Sequence, residues 1–112
     1  MIRVSVSADP ALIGSVPVNA PVFVLARSLS PGPPLAAKRM RVADLPFTLD
    51  LSDQDAMMAG RNISSSSRVE IVARIALGGS PAAQPGDLFG SEELEVRDRL
   101  QPVEITINKR VE

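Results

Sequence analysis

The chain has 112 residues, 45% of them hydrophobic, with 12 Lys and Arg against 13 Asp and Glu for a net charge of −1. That balance argues against a general nucleic-acid binder, which needs a strong positive excess to displace counterions. Cys, His, Trp and Tyr are all absent, which removes the usual zinc and haem ligands, blue-copper sites, Ser–His–Asp and Cys–His nucleophile systems, and disulfides.

Ile2, Val4 and Val6 alternate with Arg3, Ser5 and Ser7, the period-2 pattern of a half-buried strand. Asp9-Pro10 ends it, and Ala11 to Val16 reads as one helical turn. The apolar run from Val22 to Ala26, within a strand from Pro21 to Arg27, fits a central strand covered on both faces. Ser30 to Pro34 is a loop by its turn chemistry, and Leu35 to Val42 resumes as a strand that forms a hairpin with the one before. Lys38, Arg39 and Arg41 take its outward positions. Phe47, Leu49 and Leu51 mark another short strand.

Ser52 to Asp55 reads as a helix start, with Ala56 to Ala59 continuing for a turn before Gly60. Ser64 to Ser67 is a polar loop. Val69 to Leu77 is a long strand with Val69, Ile71, Ala73, Ile75 and Leu77 on one face. Gly78 to Gly90 reads as a long Gly- and Pro-rich loop, Leu94 to Arg97 as a short strand, and Val103, Ile105 and Ile107 as the last strand.

About seven strands with one short helical turn is the pattern of an all-β sandwich, and an immunoglobulin-like arrangement is expected over residues 1–112 as a single domain. The Cys–Trp–Cys core of antibody domains is missing, so architecture alone is implied; a small barrel is the alternative. The run Val22 to Arg27 is echoed by Val69 to Arg74. Two strands do not make a repeat protein. The echo reads as two central strands packed alike, with an Arg emerging at the same edge.

No stretch approaches the ~20 apolar residues of a membrane span. Met1 leads straight into a strand pattern rather than a signal peptide, so any export signal or anchor is expected to lie outside this chain.

Several groups invite a site reading. Asp50, Asp53 and Asp55 could suggest a calcium loop, but Met57 and Met58 occupy the positions where further oxygen ligands would follow, and helix capping accounts for the acids. Met57 and Met58 are adaptable side chains suited to a partner surface, and equally to packing. Asn62-Ile63-Ser64 satisfies the glycosylation triplet, a frequent chance occurrence. Glu92, Glu93 and Glu95 read as a solvated acidic segment; a glycosidase pair would need a cleft with aromatics, and only three Phe are available. Lys38, Arg39 and Arg41 form a basic stripe, either a solvated edge that discourages strand pairing or a surface for an acidic partner.

The elements Val22-Phe23-Val24-Leu25-Ala26-Arg27, Gly32-Pro33-Pro34-Leu35-Ala36-Ala37, Leu45-Pro46-Phe47-Thr48-Leu49-Asp50, Asp55-Ala56-Met57-Met58-Ala59-Gly60, Val72-Ala73-Arg74-Ile75 and Gln84-Pro85-Gly86-Asp87-Leu88 stand in that order. Together they resemble the C-terminal domain family of the c-type cytochrome biogenesis proteins CcmI, also called CycH. The resemblance runs from about residue 2 to about residue 110; the stretches Ser64 to Ser67 and Glu92 to Gln101 depart from it.

The resemblance implies a periplasmic, non-catalytic accessory domain. Its parent protein has an inner-membrane anchor and tetratricopeptide repeats, both outside this chain, and its repeat region is credited with holding apocytochrome c. The implied partners are apocytochrome c or subunits of the haem ligation complex. No cofactor, metal, nucleic acid or direct membrane insertion is expected. The binding mode would be strand addition at an exposed edge, or a patch around Met57, Met58, Leu88 and Phe89. The rival readings are a structural cap or spacer for the repeat region, and a small lipoprotein- or pilot-like sandwich.

Overall fold

The computed structural model describes residues 2–14, 16–29, 35–52, 68–77, 84–96 and 101–111. Along them run β1 (Ile2–Ala8), α1 (Pro10–Ile13), β2 (Pro21–Ser28), β3 (Ala36–Arg41), a 3-10 turn (Val42–Asp44), β4 (Phe47–Leu51), β5 (Arg68–Ile75), β6 (Leu88–Glu95), β7 (Gln101–Ile107) and β8 (Lys109–Arg110). They form two sheets, one ordered β4-β1-β7 and the other β3-β2-β5-β6-β8. Two packed sheets make a sandwich rather than a closed barrel. β1 is antiparallel to β4 and parallel to β7; the pairings of the second sheet are antiparallel.

Alternation decides what lies between the sheets. Ile2, Val4 and Val6 of β1 and Ile105 and Ile107 of β7 face Val22, Val24, Ala26, Ile71, Ala73 and Ile75 of the other sheet, all at most 1% exposed. A fully buried Val, Leu or Ile is worth roughly 1.5–3 kcal/mol over an exposed one, so this layer is the main source of stability. Asp9 caps α1, its Oδ1 accepting the Ala11 N–H at 2.9 Å, with Pro10 at the first helical position. The helix therefore starts one residue before the expected Ala11 and ends at Ile13.

Other expectations need correcting. β6 begins at Leu88, so Leu88, Phe89 and Gly90 belong to a strand and not to a loop. Leu88 and Gly90 pair with Ile75 and Ala73 along the inner face. β2 is central, between β3 and β5, but Phe23 and Leu25 are only half-buried on its outer face. Leu77 lies past the end of β5 and is 45% exposed. The echoed strands β2 and β5 are direct antiparallel neighbours, which sends Arg27 and Arg74 to opposite ends; Arg27 is exposed and Arg74 buried. The expected helix at 52–59, with the acids at 53 and 55, and the loops at 30–34 and 64–67 lie essentially outside the described residues, as does the triplet at Asn62.

The chain changes sheets near its end. β7 belongs to the first sheet, then the Asn108 N–H donates to the Phe89 carbonyl at 3.2 Å and β8 joins β6. Gly90 makes the crossing possible, because a Cβ there would fall onto the Thr106 carbonyl. The two sheets meet backbone to backbone at this corner.

Candidate functional site

Directly opposed residues on neighbouring strands share a face of the sheet. Phe23 of β2 stands opposite Arg39 of β3 on one side and Arg74 of β5 on the other. Arg74 stands opposite Phe89 of β6, and Phe89 opposite Lys109 of β8. One row across all five strands thus reads Arg39, Phe23, Arg74, Phe89, Lys109, on the face turned away from the core. Four strand spacings give it a length of roughly 19 Å.

The row alternates cations with aromatic rings. The guanidiniums of Arg74 and Arg39 lie 5.5 and 5.9 Å from the Phe23 ring centroid, within the reach of cation–π attraction. Arg74 is nonetheless only 4% exposed, and its charge is met by Asp87. Asp87 Oδ2 accepts from Arg74 Nη1 and from the Gln84 N–H, and Oδ1 accepts from the Leu77 N–H, each at 3.0 Å. A buried pair of this kind adds little net stability; its effect here is to fix where the Arg74 guanidinium lies.

The sequence places Asp87 by turn chemistry. The Asp87 N–H donates to the Gln84 carbonyl at 3.1 Å, closing a turn with Pro85 second and Gly86 third at φ +93°, the arrangement of a type II turn. The Gly86 N–H donates to the Val111 carbonyl at 2.8 Å and the Val111 N–H to the Asp87 carbonyl at 2.7 Å. The turn is therefore laced to the segment that follows β8.

The ends of the row are open. Arg39 and Lys109 are exposed, and neither forms an ion pair among the described residues. Arg41, on the same face, lies 3.8 Å from Asp44. The next row, Ala37, Leu25, Val72 and Ser91, is uncharged. Beyond it Arg27 Nε donates to Glu70 at 2.6 Å, Glu93 stands opposite Glu70, and Arg68 pairs with Glu95 at 3.3 Å. Glu70 and Glu93 lie four residues along the strands from the basic row, about 13 Å, and Glu95 six, which exceeds the ~10 Å Debye length at 0.1 M salt. The basic row therefore presents its own local field.

The outer face of the other sheet is different in kind. A groove of about 420 Å³ there is bordered by Ser5, Ser7, Thr48, Thr106 and Glu104. Ser5 and Thr48 share a hydroxyl–hydroxyl bond of 3.2 Å. Arg3 Nε lies 3.1 Å from Asp50. That hydrogen bond, reinforced by charge attraction, raises the Arg3 pKa above its ordinary value, so Arg3 stays protonated.

Of the four residues expected to form a partner patch, Met57 and Met58 lie outside the described residues. Leu88 is 1% exposed, packed inside opposite Ile75, and so is no part of a surface. Phe89, its neighbour, points the other way and is half-buried on the outer face. The basic stripe also divides. Arg39 and Arg41 share the outer face, whereas Lys38 stands opposite the inward Val24. Phe23, Arg74 and Lys109 are not legible as a group, because only the register across five strands aligns them, and Asp87 reaches Arg74 only through the turn before β6.

The family model for the cytochrome c-type biogenesis protein H Ig-like domain matches residues 2–108. The chain is 44% identical over 80 residues to the cytochrome c-type biogenesis protein CycH of Pseudomonas aeruginosa, a match covering 70% of this chain and 20% of that protein. The matched region thus spans about a fifth of the length of that curated relative. No solved structure matches the chain.

Proposed function

The chain belongs to the Ig-like domain family of cytochrome c-type biogenesis protein H, and from that premise we propose that it is a non-catalytic interaction domain in c-type cytochrome maturation. In this reading it works in the periplasm, as part of an inner-membrane-anchored protein, and assists delivery of apocytochrome c to the haem ligation complex. The observation that carries the reading is the rigid row of Arg39, Phe23, Arg74, Phe89 and Lys109 on an outer sheet face. Half-buried rings between cations are protein-contact chemistry. The chain has neither His nor Cys, so no Ser–His–Asp or Cys–His nucleophile system can form within it. Among the described residues no helix is long and apolar enough to cross a membrane.

An amide NMR titration of the labelled chain with unfolded apocytochrome c, with folded holocytochrome as control, tests this. Shifts confined to the row, seen only with the apo form, are expected. A flat titration would overturn direct apocytochrome contact. Titration with the subunits of the ligation complex would then show whether they are the partners instead.

A further inference from the structure

The row's chemistry also specifies what it fits. We infer that this face receives an acidic amphipathic helix lying across the strands, with carboxylates at Arg39 and Lys109 and apolar side chains over Phe23 and Phe89. The inference rests on the docking face proposed above and names its partner's chemistry.

Three observations carry it. First, the exposed cations stand at the two ends of the row, without ion pairs among the described residues, while Arg74 between them is already neutralised by Asp87. The charge available to a partner is therefore terminal, and the middle is aromatic. Second, no carboxylate occupies the adjacent row of Ala37, Leu25, Val72 and Ser91, so a partner's acids meet no repulsion there.

Third, the spacings match a helix. The end-to-end distance of roughly 19 Å is close to two heptads of helix, 14 residues or about 21 Å, after which the same face returns. The two rings, two strand spacings or about 10 Å apart, match apolar side chains seven residues apart, about 10.5 Å of helix. An extended segment's same-face repeat of ~6.6 Å also reaches about 20 Å in three steps, but laid across a sheet face it finds no strand edge with which to pair its backbone, whereas a helix satisfies its own N–H and C=O groups.

The probe is a synthetic helical peptide with Glu 14 residues apart and Leu four and eleven residues after the first Glu, all on one face, compared with its Lys-for-Glu counterpart. Amide shifts at Phe23, Arg39, Phe89 and Lys109 are expected with the Glu peptide only. Its affinity should fall by about tenfold in the Arg39→Glu, Lys109→Glu double variant and weaken with salt, while thermal melting stays within a few degrees. Should that variant misfold, Arg39→Gln, Lys109→Gln serves instead. No shift at the row, equal binding of the Lys peptide, or affinity unchanged in the variant would each overturn the inference. Glu-peptide binding with a silent apocytochrome titration would retain the chemistry of the face and remove the partner proposed above. Apocytochrome binding at the row without preference for the Glu peptide would do the reverse.

Discussion

Arg74 on β5 and Asp87 in the turn before β6 meet at 3.0 Å with side chains 5% and 2% exposed. Thirteen residues separate them in sequence, and Asp87 also holds the Leu77 and Gln84 N–H groups. Removing one partner strands a charge in a dry site. Asp87→Ala is expected to cost about 3–5 kcal/mol, and Arg74→Met, Asp87→Asn together much less. Urea midpoints of Asp87→Ala, Arg74→Met, Asp87→Asn and the double variant check this; single losses that simply add in the double variant would show that the pair is not coupled.

Leu88 and Phe89 are adjacent yet face opposite ways. Leu88→Ala should lower stability by about 3 kcal/mol through a core cavity. Phe89→Ser should cost about 1 kcal/mol or less, the scale of a cross-strand contact. If the order of the two melting shifts were reversed, the register of β6 assigned here would be wrong.

Gly90 faces Thr106 across the sheet-to-sheet corner. Gly90→Ala has to push backbone rather than a side-chain tip, and a loss of about 3 kcal/mol is expected. Denaturation melts check it, and a neutral outcome would mean that the corner yields.

Lys38 is an inward-facing charge on the edge strand β3, a device that keeps edges from pairing with other chains. Lys38→Val should raise self-association at high concentration, read by light scattering. A variant that stays as monomeric as the parent would assign the edge protection elsewhere.

The sequence made β1 and β7 plain because each carries one apolar and one polar face, so alternation survives in the residue order. β2 was harder. Its five apolar residues in succession conceal that Phe23 and Leu25 face outward, half-buried by neighbours that are remote in sequence. The start of β6 was hidden by composition. Gly86 serves a turn, whereas Gly90 sits inside a strand because another strand's backbone occupies the space of its Cβ. Nothing local distinguishes these two glycines. The basic stripe was visible, but its division between two faces follows from the pairing of Lys38 with Val24. The family-like segment at Gln84 to Leu88 is visible in the residue order as a pattern; its physical content, a turn that delivers Asp87 to Arg74, emerges only in three dimensions.

The parallel pairing of β1 with β7 has a mechanical consequence. Seven residue pairs link them, from Ile2 with Gln101 to Ala8 with Ile107. Tension applied at residue 2 and at the end of β7 runs along both strands in opposite directions, so this ladder is loaded in shear, its bonds sharing the force together. A hairpin pulled open at its ends would surrender them one by one. Strung between two neighbours, this sandwich would resist stretching through the rate at which it unfolds under load, and it could transmit a pull from one to the other.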